Sequence, residues 1–281
     1  MKTILRFLAP LLVALALPGC LQYEATIRLN KDGSGSFEEQ TLLGAQMMEM
    51  LNQFAAMGGE DAKGDPIADM MSEDKAKERA AELGEGVTFD KAERVDKNGA
   101  KGVKITYRFK DINTLKASMG DGLQGANPMA DMAPGGAPEK PKEEPMTFAY
   151  ADGKLTISLP QGDKDEAKKA AEDAKDAAGG ADMPDMDNPE AEAMMKQMLG
   201  DMRMSMKLIV EPGISETDAS HRDGNTITLM EMDMAKLIEN KDAFKKLANA
   251  NQDDPTKAME MLKGVEGVKV ETKEKVTVEL D

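Results

Sequence analysis

The stretch YEATIRLNKDGSGSFEEQTLL, Tyr23 to Leu43, decides how the chain is read. Tyr23, Ala25, Ile27 and Leu29 alternate with Glu24, Thr26, Arg28 and Asn30. A period of two sends one set of side chains to a dry face and the other to water, which describes a half-buried strand. Lys31-Asp32-Gly33-Ser34-Gly35 has the chemistry of a turn, and Ser36 to Leu43 reads as the returning strand. An antiparallel hairpin therefore organises the head of the sequence.

N-terminal to the hairpin, Lys2 and Arg6 flank an apolar run of 11 residues, Phe7 to Leu17. A membrane span needs about 20 residues, so the run reads as the core of a secretory signal. Leu17-Pro18-Gly19-Cys20 resembles a bacterial lipobox. That resemblance implies a signal peptide over 1–19, cleavage before Cys20 and acyl chains on its sulfur and amino group. The ectodomain is then 20–281, joined to the membrane by lipid on Cys20, with the acyl chains giving stable anchoring where a single chain would be marginal. Leu21, where an Asp would imply retention in the inner membrane, implies sorting to the periplasmic face of the outer membrane. The first strand begins almost at Cys20, leaving no tether, so the folded body is expected against the bilayer.

C-terminal to the hairpin, Met47, Met50, Leu51 and Phe54 share a helical face, and Ser72 to Gly84 carries helix start and stop signals. Val87 to Val95, Asn98-Gly99 and Val103 to Phe109 form a second hairpin, followed by a short helix ending near Ser118. Thr147 to Tyr150 and Leu155 to Leu159 form a third hairpin around Asp152-Gly153. Ala191, Met194, Met195 and Met198 mark a helix. Strands follow at 202–210 and Asn225 to Met232, separated by a Pro212-Gly213 turn and a polar loop. An amphipathic helix runs from Met234 to Leu247, another starts at Asp254-Pro255, and a terminal strand runs from Val268 to Leu280 with a break at Glu274. Residues 119–145 and 161–190 are low-complexity inserts, read as disordered or solvated. About nine strands in hairpins with four or five intervening helices predict an α+β fold with antiparallel sheet.

Composition sets the main difficulty. Leu, Ile, Val and Phe make up 50 of 281 residues, or 18%, and the net charge is −16. Chains below about 20% with high charge usually stay unfolded. The 24 methionines raise the count to 74, or 26%, so Met is expected to stand in for Leu and Val in the core. The balance of 52 acidic against 36 basic residues, with no basic patch, argues against nucleic acid. One His and one Cys exclude a disulfide within the chain, an iron–sulfur cluster and a Cys/His zinc site. No cofactor is expected.

Three constellations merit a functional reading. Asn30, Asp32 and Ser34 have the spacing of a calcium loop, but the twelfth position is Thr41 rather than Glu, and a hairpin turn explains the same residues. Met202, Met204, Met206, Met230, Met232 and Met234 recur at strand spacing. Their thioethers would suit Cu(I), and core packing explains them equally. His221, beside Ser220 between Asp218 and Asp223, invites a carboxylate or triad hydrolase reading. Triads assemble from distant segments, though, and no G-x-S-x-G elbow is present.

The lipobox, Asn30-Lys-Asp-Gly-Ser-Gly35, Phe109-Lys-Asp-Ile-Asn-Thr-Leu115 and Asp223-Gly-Asn-Thr-Ile-Thr228 together resemble the bacterial LppM-type lipoprotein domain. The resemblance implies a membrane-anchored α+β ectodomain, with lipid or envelope-glycolipid binding suggested and no catalytic residues. The expectation is a non-enzymatic, membrane-tethered binding or structural module of the cell envelope. A Cu(I)-binding periplasmic protein is one alternative and a hydrolase another.

Overall fold

The computed structural model describes residues 21–57, 65–118, 144–160, 190, 193, 196, 199–244 and 263–281. The expected signal segment 1–19, Cys20, most of both inserts, Met194, Met195, Met198 and the helix expected from Asp254 lie outside those residues.

In chain order the elements are β1 (Leu21–Leu29), β2 (Gly35–Leu43), α1 (Ala45–Met57), α2 (Pro66–Met70), α3 (Glu73–Leu83), β3 (Thr88–Lys97) and β4 (Ala100–Phe109). Then come β5 (Thr147–Ala151), β6 (Lys154–Ser158), β7 (Arg203–Val210), β8 (Ile214–Thr217), β9 (Arg222–Asp223) and β10 (Thr226–Asp233). The last are α4 (Met234–Glu239), β11 (Val268–Val270) and β12 (Lys275–Leu280). The class is α+β, as the alternation predicts. The larger sheet has the order β11-β10-β7-β1-β2-β4-β3, with β9 on β10, and the smaller has β5-β6-β12-β8.

Local chemistry explains the hairpins. Asn98 and Gly99 sit at φ 54° and 81°, and Asp152 and Gly153 at 52° and 77°, the positive angles that two-residue hairpin turns require. The first turn is held by the Asn30 amide donating to the Ser34 carbonyl at 2.8 Å. Ser72 caps α3, with Glu73 and Asp74 in its first turn against the positive end of the helix dipole.

One pairing is parallel, where the sequence pattern predicts antiparallel sheet throughout. β1 lies parallel to β7, from Gln22 opposite Arg203 to Leu29 opposite Val210. β1 is thus the centre of the larger sheet. The two faces of that sheet differ sharply. Tyr23, Ala25, Ile27, Leu29, Phe37, Tyr107, Met206 and Leu208 pack with Phe148, Leu155, Ile157, Ile214, Val276 and Val278 of the smaller sheet into one core. The opposite face carries ion pairs between strands: Arg28 with Glu38 at 3.5 Å, Lys104 with Glu38 at 2.8 Å, Lys207 with Glu24 at 3.7 Å and Lys269 with Glu231 at 3.2 Å. Each such surface pair contributes no more than about 1 kcal/mol.

The register also gives the sheet two distinct ends. Leu21, Leu43, Arg203, Asp233 and Val268 mark the end where the described chain starts, here called proximal. Leu29, Gly35, Phe109 and Val210 mark the distal end. α1 leaves the sheet after Leu43 and α4 after Asp233, so both begin at the proximal end.

Four details depart from the sequence reading. The polar loop after Gly213 contains β8, which pairs with β12 in the smaller sheet. The terminal strand divides, β11 joining one sheet and β12 the other, because Glu271 to Glu274 leave the ladder. The helix expected after Phe109 is a single 3₁₀ turn, Ile112–Thr114. The helix from Met234 stops at Glu239, where Asn240 accepts a hydrogen bond from the Ala243 amide at 3.1 Å and starts a new turn.

Gly102 tests the sheet directly. A Cβ there would stand 1.8 Å from the Thr41 carbonyl oxygen on the neighbouring strand. Gly102→Ala is expected to lower unfolding stability by about 3 kcal/mol, read as a fall in the urea midpoint. A midpoint equal to wild type would contradict the close β2–β4 approach.

Candidate functional site

The six methionines are brought together, four on β7 and β10, Met202 just before β7 and Met234 opening α4. Met206 stands opposite Met230 and Met204 opposite Met232. Below them the Met234 amide donates to the Met202 carbonyl at 3.0 Å. A register shift between Thr228 and Met230 makes the two strands agree in face at this point. The result is three adjacent pairs, with Cβ atoms about 5 Å apart at directly opposed positions. Met206, Met230 and Met234 are buried, while Met202, Met204 and Met232 are half-buried. Met206 belongs to the main core. Met234 packs with Leu237, Ile238, Phe244 and Val268 in a second cluster that Met202 and Met232 flank. Chemically the block is soft apolar filling, and it is also a line of thioether donors.

A buried polar group also lies on the dry face. Glu39 accepts a hydrogen bond from the Tyr23 hydroxyl at 2.9 Å and pairs with Arg79 of α3 at 3.2 Å. Arg79 reaches Glu82 as well, at 3.4 Å. Burial, and then the charge of Glu39, hold the Tyr23 phenol well above its ordinary 10.0. Burial raises Tyr107 likewise. Both phenols therefore stay protonated near neutral pH and cannot serve as bases. The arrangement clips α3 onto the sheet. The sequence reading missed it, although a signal was present: Glu39 interrupts the apolar stripe between Phe37 and Thr41, and a charge on a dry face requires a partner.

Asn30, Asp32 and Ser34 form a closed turn. Asp32 accepts from the Ser34 hydroxyl at 2.6 Å and its amide at 3.0 Å, and the Asn30 side-chain amide donates to the Ser34 hydroxyl at 3.1 Å. The Ser34 hydroxyl and amide hold the Asp32 carboxyl below its ordinary value. Thr41, the twelfth position of the calcium spacing, lies six residues along β2 from Gly35, roughly 20 Å away at strand rise. The turn instead docks on its neighbours at the distal end. The Ile112 amide donates to the Gly33 carbonyl at 2.9 Å, the Tyr150 hydroxyl to the Lys31 carbonyl at 2.7 Å, and the Lys31 ammonium to the Asp281 carbonyl at 2.6 Å. Asn113 bonds the Tyr150 backbone both ways, at 2.6 and 3.2 Å. Asn225 adds a bond to the Val210 carbonyl at 3.1 Å. The turn motifs quoted in the sequence thus meet at one rim and join the two sheets.

His221 sits half-buried in its loop. Its neighbours have structural partners. Ser220 donates to Glu271 through its amide at 2.6 Å and its hydroxyl at 2.9 Å, and Asp218 accepts from the Thr277 amide at 2.7 Å. Among the described residues no group of three or more His, Cys, Asp or Glu side chains converges as a metal site. Shallow hollows lie on the surface. One of about 520 Å³ is lined by Lys236, Glu239, Asn240, Lys241, Asp242 and Glu266. Another, of about 330 Å³, is lined by Glu144, Pro145, Thr147, Ser158, Leu159 and Pro160.

No family model matches the chain, and no curated protein matches it. Among solved structures, the folded domain of the Mycobacterium tuberculosis LppM protein, determined by NMR, is similar at 10% identity and a TM-score of 0.30. The overlap covers 78% of this chain and 86% of that one. A superposition this loose transfers neither a residue nor a role.

Glu271 supplies a pH test. Burial pushes its carboxyl up, but the Ser220 and Lys273 amides and the Ser220 hydroxyl outweigh this and hold it below its ordinary 4.5. The native state therefore binds fewer protons than the unfolded chain around that pH, and the stabilisation is complete above 4.5 and disappears as pH falls through the lowered value. Glu271→Gln is expected to lower Tm at about pH 7, with the gap to wild type narrowing toward about pH 3. A gap that is constant across the range would remove the carboxylate from this role.

Proposed function

We propose that the chain is a non-enzymatic lipoprotein of the bacterial envelope, a binding or structural module held by acyl chains on Cys20. The observation that carries the reading is the position of Leu21. The residue after the lipobox cysteine is already the first residue of β1, the central strand of the larger sheet. A lipid at Cys20 would fix the rigid middle of the fold to the membrane with no slack. The periplasmic face of the outer membrane is the location that Leu21 favours. The Ser220 hydroxyl and the Asp218 carboxylate beside His221 are taken up in structural bonds, which supports a module without catalysis. In bacterial cells the wild type is expected in the membrane fraction, labelled by fed palmitate, and Cys20→Ala in the soluble fraction without label. Identical fractionation of the two would overturn the reading.

A second reading rests on the paired methionines, a donor line for Cu(I) in a compartment without competing thiols. Under anaerobic competition the protein is expected to withdraw Cu(I) from a weak chelator, and Met204→Leu with Met232→Leu to lose that capacity. Failure of the wild type to compete rejects the copper reading and leaves the pairs as packing.

A further inference from the structure

A third apolar cluster lies at the proximal end. Leu43, Leu51 and Ile67 are buried there, and Leu21, Met47, Met48, Met70 and Met71 surround them, each half-buried. We propose that this methionine rim, formed by the start of β1, α1, α2 and Met71, is the surface that rests in the interface of the bilayer. The proposal deepens the anchoring reading and rests on it.

Three observations point to lipid. First, the rim adjoins the start of the described chain. Leu21 belongs to the rim, and Cys20, the proposed acylation site, is one Cα step of about 3.8 Å before it. An acyl group at Cys20 brings the bilayer to this rim before any other part of the fold. Second, α1 is nearly free of charge. Its thirteen residues, AQMMEMLNQFAAM, include one ionisable group, Glu49, in a chain that is 31% charged. Its first turn has no acid and its last turn no base. A helix facing only water in so acidic a chain would be expected to carry more. Third, the apolar side chains left partly exposed around this cluster are mostly methionines, beside the exposed Gln46, Asn52 and Gln53. The thioether chain is unbranched and conforms to a disordered apolar surface where a β-branched side chain would not. An interfacial helix of this kind sinks about 5–10 Å into the boundary between headgroups and acyl chains.

The chain contains no Trp, so one introduced indole reports its own surroundings. The full-length lipidated protein is reconstituted in phosphatidylethanolamine–phosphatidylglycerol vesicles with or without brominated acyl chains. Three single variants are compared: Met48→Trp and Met71→Trp at the rim, and Lys110→Trp, exposed at the distal end. Emission at positions 48 and 71 is expected to shift to the blue and to fall about twofold with brominated lipid, while position 110 is unchanged. Two rim positions guard against one substitution disturbing the fold, which circular dichroism checks. If the protein floats with the vesicles but both rim indoles stay unquenched, the rim is not the contact surface and anchoring stands. A protein that does not float overturns anchoring and, with it, this proposal. A blue shift that ignores brominated lipid and fades on dilution identifies a second copy as the occupant, which also overturns the proposal.

Discussion

The parallel pairing of β1 with β7 is the constraint on which the rest of the structure depends. It joins the N-terminal hairpin to strands that follow much later in the sequence, and its register runs unbroken from Gln22 to Leu29. Ile27 lies between Phe37 on one side and Leu208 on the other, and all three are fully buried. The Glu211 amide continues the connection to the Leu29 carbonyl at 2.9 Å. Without this pairing the larger sheet would fall into two parts, β1-β2-β4-β3 and β7-β10-β11, each exposing an apolar face. A parallel pair needs a long crossover, so its closure entropy must be offset by burial on both flanks of β1.

The composition problem resolves differently from the expectation. Among the described residues, Met146, Met206, Met230 and Met234 are the buried methionines, and Leu, Ile, Val, Phe, Tyr and Ala supply the remainder of the buried apolar set. The few branched residues available are concentrated where both sheets meet. Methionine gathers instead at the margins, half-buried beside the second and third clusters. A flexible side chain suits those positions because the neighbouring helices are short and present an irregular surface. Methionine therefore does not so much replace the core as extend the reach of a small one.

What was legible in the sequence follows from how local each signal is. The hairpin turns at Asn98-Gly99 and Asp152-Gly153 need positive φ, and that need is written in adjacent residues. The α3 cap at Ser72 is equally local. The β1–β7 pairing leaves no such trace, since alternation in two distant strands says nothing of which strand each will meet. β8, four residues reading ISET, has too little pattern to separate from a loop. Glu271 was hidden for the opposite reason. It sits in a stretch that alternates like a strand, yet it turns back to bind Ser220 and Lys273, and so ends β11. The methionine spacing was legible, but whether Met230 and Met232 would face Met204 and Met206 depended on a bulge that alternation cannot reveal.

The two ends of the sheet make the acidic balance intelligible. Under the proposed anchoring the body 20–281, with 34 basic and 52 acidic residues, carries a net charge of −18 that an anionic leaflet would repel over a range of about 10 Å at ordinary ionic strength. Held without a tether it could not escape that range, so its orientation would decide how much repulsion it meets. The charged lattice of Glu24, Glu38 and Glu231 covers one face of the larger sheet and is partly neutralised by Lys207, Arg28, Lys104 and Lys269. The proximal end presents α1 with its single acid, beside Asp65 at the start of α2 and Glu239, Asp242 and Glu266 around α4. Setting that end down on the bilayer keeps the ion-paired face edge-on to the surface and the distal rim, with Asp32, Asp111 and Asp281, farthest from it. In the proposed orientation, apolar contact at the rim must outweigh the repulsion met by the acids beside it, and the ion-paired face and distal rim add little to that repulsion.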